Sequence, residues 1–136
     1  MLRSGRTPVG RHRSVRGAAV VEFTLVSVVL VGLFLAVLQV GLALHVRNTL
    51  VACAAEGARY AANADRDLAD GEVRAAALIA ESLSQRYGRA ISSRYVHSGG
   101  VQLVEIEVST TLPLFGLLGV ERGLTVTGHA VEEGAL

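Results

Sequence analysis

The longest pattern in the chain is a run without charge: residues 23–44, FTLVSVVLVGLFLAVLQVGLAL, carry only Thr24, Ser27 and Gln39 as polar side chains. At ~1.5 Å per residue the run reaches roughly 33 Å, enough to cross a hydrocarbon layer of about 30 Å. A buried helix of a soluble protein is rarely this long and this uniformly apolar, so the pattern predicts a membrane-spanning helix. Helix formers begin at Ala18 and continue beyond the run through the Ala-rich stretch 48–64, with no Pro between them. One helix is therefore expected over 18–63, roughly 70 Å long. Residues 18–46 would be its membrane segment and 47–64 its extension beyond the bilayer. Asn63, Asp65 and Asp67 then read as a helix end followed by a new start.

Further on, Asp70 can cap a second helix, with Glu72 in its first turn. Val73, Ala76, Ala77, Ala80, Leu83, Ser84 and Tyr87 recur on it at three- and four-residue spacing, and Gly88 suits its end. The period then falls to two. Residues 91–97 form one strand, Ser98-Gly99-Gly100 a turn, and VQLVEIEVST a second strand with Val104, Ile106 and Val108 on one face and Glu105 and Glu107 on the other. The apolar stretch 112–119, LPLFGLLG, is broken by Pro and Gly and reads as a loop, and GLTVTGHAV as a third strand paired back onto the second. The expected class is an α+β membrane protein: a long N-terminal transmembrane helix, a second helix and a small antiparallel sheet of about three strands. Residues 65–136 would form the small extracytoplasmic domain. Its core would be thin and would lean on the long helix or on partners.

Charge adds a direction. Arg3, Arg6, Arg11, Arg13 and Arg16 precede the apolar run, and no acid stands before Glu22. After Gly17, eight Arg face twelve acids. Basic residues flanking a first span stay in the cytoplasm, so residues 1–17 read as a cytoplasmic arm or leader and residues from about 47 onward as outside. The expected location is the cytoplasmic membrane, crossed once. Arg-rich arms also bind phosphate, but no aromatics interleave here and the acidic remainder would repel a polyanion, so nucleic acid is not an expected partner and the lipid bilayer is. The single cysteine, Cys53, excludes an internal disulfide and, among alanines, reads as a small buried residue, with pairing between chains outside the cell as the lesser reading.

Candidate chemistry gathers at the entrance of the run, in Arg16-Gly17-Ala18-Ala19-Val20-Val21-Glu22-Phe23. A charge placed in a membrane segment is costly and calls for a role. Cleavage after Gly17 would give Ala18 a new ammonium group, with Glu22 one helical turn away, able to pair with it or with the amine of a neighbouring subunit. The plain alternative is a carboxylate at the interface, reaching water beside Arg16.

These residues resemble the prepilin cleavage motif of type IV-like pilins. RGAAVVEFTLV followed by an apolar span is similar to the TadE-like family of tight-adherence (Flp-type) pilus assembly proteins. Glu56-Gly57-Ala58-Arg59 is similar to a segment common after the span in that family. The resemblance covers about residues 16–62. It implies a minor pilin or pseudopilin, a structural or accessory subunit of a Flp-type pilus or related secretion system. Gly17 and Ala18 would be its processing site for a prepilin peptidase, and Glu22 and Phe23 its assembly residues. Implied partners are that peptidase, other pilin or TadE-like subunits and an inner-membrane assembly platform. Flp-type pilins usually carry Tyr where Phe23 stands, and a major pilin lacks a domain such as residues 72–136, which favours an accessory subunit. The competing reading is a single-pass envelope binding module without pilin processing.

Glu56 and Arg59, three apart on a helix, can be a simple solvated pair or a subunit contact, and Gly32, Gly41 and Gly57 can allow close helix approach. His12, His45, His97 and His129 lack the paired spacing of a metal site, so no metal or other cofactor is expected. No nucleophile motif or phosphate loop accompanies them, and no enzyme activity is expected. A secreted protein with a cleaved signal is disfavoured by a run longer than a signal core.

Overall fold

The computed structural model describes residues 12–112 and 122–133. Its first element, α1 (His12–Ala61), is a single helix of 50 residues. It starts six residues before the expected Ala18, so the end of the Arg-rich segment is helical, and it stops two residues short of 63. Arg3, Arg6 and Arg11 lie outside the described residues. By internal contacts the chain divides into two units, Met1–Leu38 and Gln39–Leu136. Within α1, Gly17–Ala61 is long and apolar enough to cross a membrane, and its most apolar stretch is not buried. Val20, Phe23, Leu30, Phe34 and Leu42 all stand exposed along it.

Helix α2 (Leu68–Ser82) follows a short polar link. Its cap is Asp67 and not Asp70: the Asp67 carboxylate accepts from Asp70 N at 2.9 Å while Asp67 N donates to the Asp70 carboxylate at 3.3 Å. This reciprocal box starts the helix one turn earlier than a cap at Asp70 would. The buried face also differs from the expected stripe. Gly71, Ala75 and Ile79 are buried, whereas Val73 is 70% exposed. The reason is the closeness of α1. A Cβ at Gly57 would lie 2.7 Å from Gly71 O and 2.8 Å from Ala75 Cβ, so the two helices meet where both lack bulk. A stripe chosen by hydrophobicity passes over glycine. The helix ends at Ser82, where Leu83 N donates to Ile79 O at 2.9 Å. A 3-10 turn, Gln85–Gly88, then carries Tyr87 into the core, so Gly88 closes that turn and not α2.

Three strands, β1 (Ala90–Ser98), β2 (Val101–Leu112) and β3 (Arg122–Val131), form an antiparallel sheet in that order. Gly99 and Gly100 join β1 to β2 with φ of 60° and 83°, the left-handed pair that a two-residue hairpin of type I′ demands. The turn sets the register: Ser98 faces Val101 and Arg94 faces Glu105. The connection 113–121, with most of the expected apolar loop, lies outside the described residues.

Val104, Ile106 and Val108 alternate onto one face and are fully buried, as the period-two pattern predicts. They form one core with Leu50, Ala54 and Ala58 of α1 and Ala75 and Ile79 of α2. Six of the fourteen buried apolar residues (Val46, Leu50, Cys53, Ala54, Ala58 and Ala61) come from α1, and Ala62 follows directly after it, so the thin sheet does lean on the long helix. Strand β3 comes closest: a Cβ at Gly128 would fall on the backbone of Ala54 and Ala55.

Candidate functional site

Both sequence motifs lie on α1, and they differ in what surrounds them. At the entrance, Gly17, Ala18, Glu22 and Phe23 are all exposed, Phe23 to 74%. A Cβ at Gly17 would meet nothing within 4 Å. The Gly17–Ala18 bond lies inside the helix, so a peptidase would need to unwind that turn first, and Gly17 is the residue there that resists unwinding least. Thr24 and Ser27 return their hydroxyls to their own helix, donating to Val20 O and Phe23 O at 2.8 Å each. That leaves Glu22 as the charged side chain on this exposed apolar surface.

The second motif divides between two faces of one helical turn. Gly57 and Ala58 face the core, Ala58 fully buried. Glu56 and Arg59 face outward, where the Arg59 Nη2 and Nε donate to Glu56 Oε2 at 2.8 and 3.1 Å. Both side chains are well exposed, so the pair contributes only about 0.2–0.5 kcal/mol. The demand for a small residue at Gly57 is steric, set by α2 and the side chain of Ile106. Beside this turn the guanidinium of Arg66 lies 4.8 Å, and that of Arg74 6.0 Å, from the Tyr60 ring centre.

One polar group was not legible as buried. Glu105, assigned by alternation to the solvent face, is only 8% exposed. It stands on the sheet face away from the core, with Arg94 of β1 and His129 of β3 directly opposite it in the register. Oε1 is ion-paired with Arg94, and His129 Nε2 lies 2.6 Å from Oε2. Arg94 also lies 3.8 Å from Glu107. The hairpin at Gly99-Gly100 implies the Arg94 pairing from sequence; the His129 pairing depends on the β2–β3 connection, whose length alone sets no register. No cluster of three or more His, Cys, Asp or Glu capable of holding a metal occurs among the described residues.

Cys53 is buried on α1. Burial pushes its thiol up from the ordinary value, and a hydrogen bond with the Ser82 side chain partly offsets this.

Residues 17–59 match the family model described as TadE-like protein, about a third of the chain, starting at the glycine of the first motif and ending at the arginine of the second. No curated protein and no solved structure matches the chain.

Proposed function

We propose that this chain, TadE-like from Gly17 to Arg59, is a membrane-anchored accessory subunit of a tight-adherence pilus, a minor pilin or pseudopilin with a structural and not a catalytic task. The observation that carries the reading is the apolar half of α1. Its large side chains from Val20 to Leu44 stand exposed among the described residues, and in water such a surface would drive aggregation. Lipid covers it without further cost. The Arg-rich N-terminus sets its orientation, inside, and the unit Gln39–Leu136 carries the outer domain.

Processing follows from chemistry at the entrance. A prepilin peptidase cutting the Gly17–Ala18 bond removes the basic leader and leaves an ammonium group on Ala18. Glu22, four residues on, is the one acid available to neutralise that charge at the membrane boundary, in its own chain or in a neighbour. A pairing between neighbours would fix axial register in an assembly, and Phe23 beside it would pack against the adjacent helix. The unbroken helix across the Gly17–Ala18 bond favours a second reading, in which the chain stays uncut and anchors an envelope binding module.

Gly17→Ala and Glu22→Ala distinguish the two. With pilus machinery present, Gly17→Ala should leave the leader attached, and Glu22→Ala should be cut but fail to enter the assembly. Normal cutting in the first variant and normal incorporation in the second would refute the pilin reading and leave the anchor.

A further inference from the structure

We propose that the membrane helix pairs with a second copy of this chain through the face bearing Gln39. This rests on the membrane reading above. The observation is a contrast among the three polar side chains of residues 23–44. Thr24 and Ser27 are satisfied within their own helix, whereas no hydrogen bond of the Gln39 amide occurs among the described residues. An amide in hydrocarbon without partners is strongly unfavourable, because lipid offers nothing to bond.

Gln39 cannot readily escape to the near interface. It lies five residues before the end of the apolar run, about 7.5 Å inside it, and side chains on a helix lean toward the N-terminus, here deeper into the bilayer. Among the described residues no group of the chain reaches it, and the partner we assign is another helix. Gly32 and Ala36 precede it by seven and three residues and Ala43 follows by four, so the four share an arc of roughly 60°. A Cβ at Gly32 would meet nothing within 4 Å among the described residues, so none of them fills the space beside it. Farther along the same arc, Val46 and Leu50 are buried in the core and Gln39 and Ala43 are half-buried, so the cover fades toward Ala36 and Gly32, which stand exposed. Small residues there let a second backbone approach within amide reach.

The occupant is argued from self-complementarity. An amide both donates and accepts, and every copy of the chain inserts the same way. Gln39 of a parallel neighbour therefore lies at the same depth, and each NH2 group donates to the other's carbonyl oxygen. No other polar group of the run lies at that depth.

The test uses the full chain in native membranes with Cys53→Ala, so that introduced thiols are the only ones. Ala36→Cys and Ala43→Cys should give disulfide-linked dimers with copper phenanthroline, and Phe34→Cys and Val37→Cys on the opposite side should not. Adding Gln39→Leu to Ala43→Cys should lower the dimer yield about three- to tenfold, and Gln39→Asn should largely preserve it. Alkaline extraction of the same membranes separates membrane insertion from pairing. Release of the protein by alkali overturns the membrane reading and this pairing with it. Retention with equal cross-linking on both faces, with cross-links to a different protein only, or with no loss in Gln39→Leu overturns the pairing alone.

Discussion

Gly57→Ala inverts the usual effect of adding one methyl group to a helix. In an exposed helix interior the change favours folding by about 0.5–1 kcal/mol, because alanine restricts the unfolded chain and glycine does not. Here the new Cβ would lie 2.7 Å from Gly71 O, 2.8 Å from Ala75 Cβ and 3.0 Å from Ile106 Cδ1. Two of these neighbours cannot give way without moving α2, one being backbone and the other a methyl on a buried turn. Overpacking of this kind costs about 1–3 kcal/mol, so the net should be destabilising by about 1–2 kcal/mol. For a unit of the size of Gln39–Leu136 this lowers Tm by roughly 4–15 °C. Tyr60, Tyr87 and Tyr95 all belong to that unit, so the tyrosine near-ultraviolet circular dichroism of the full chain in detergent follows its melting and not that of the apolar half of α1. Gly32→Ala, with open space at its Cβ, is the matched control and should leave Tm unchanged. A Gly57→Ala protein melting at or above wild type would show that α1 and α2 do not meet at these glycines.

Removing Arg94 should cost more than removing the charge it binds. Arg94→Met leaves the nearly buried Glu105 carboxylate with His129 alone and should destabilise by about 1–3 kcal/mol in urea melts, whereas Glu105→Gln leaves two exposed bases in water and should cost less than about 1 kcal/mol; equal costs would contradict the asymmetry. Cys53 should react with a maleimide only on unfolding, the native rate trailing the urea-unfolded rate by at least about a hundredfold, as burial raises the thiol and shields it; fast native labelling would place the thiol at the surface. Because the folded thiol holds its proton more tightly than the unfolded one, this group's contribution to stability is complete below the ordinary thiol range and lost as pH rises above it. Cys53→Ser melts at pH 7 and pH 10 check the sign: the gap from wild type should narrow at the higher pH.

The elements were legible where one physical demand dominated. The alternation of Val104, Ile106 and Val108 predicts a buried strand face, and a Gly-Gly pair between two strands predicts the hairpin. Uncharged length predicts the apolar helix. Legibility failed where two demands competed. The face of α2 is chosen by how closely α1 approaches, so Gly71 and Ala75 displace the more apolar Val73. Asp67 and Asp70 are each good caps, and only the start of the helix at Leu68 decides their roles. Glu105 obeys the alternation in direction yet is buried, because its cross-strand neighbours are long and oppositely charged. In the second motif, sequence spacing paired Glu56 with Arg59, but the tight contact at Gly57 involves a residue fourteen positions away on another helix.

If α1 anchors a processed pilus subunit, as proposed, the intact mass of the protein from alkali-washed membranes of cells carrying the pilus machinery will show it. The expected result is a membrane-retained chain whose first residue is Ala18. A chain that still carries residues 1–17, or one released by alkali, would contradict it.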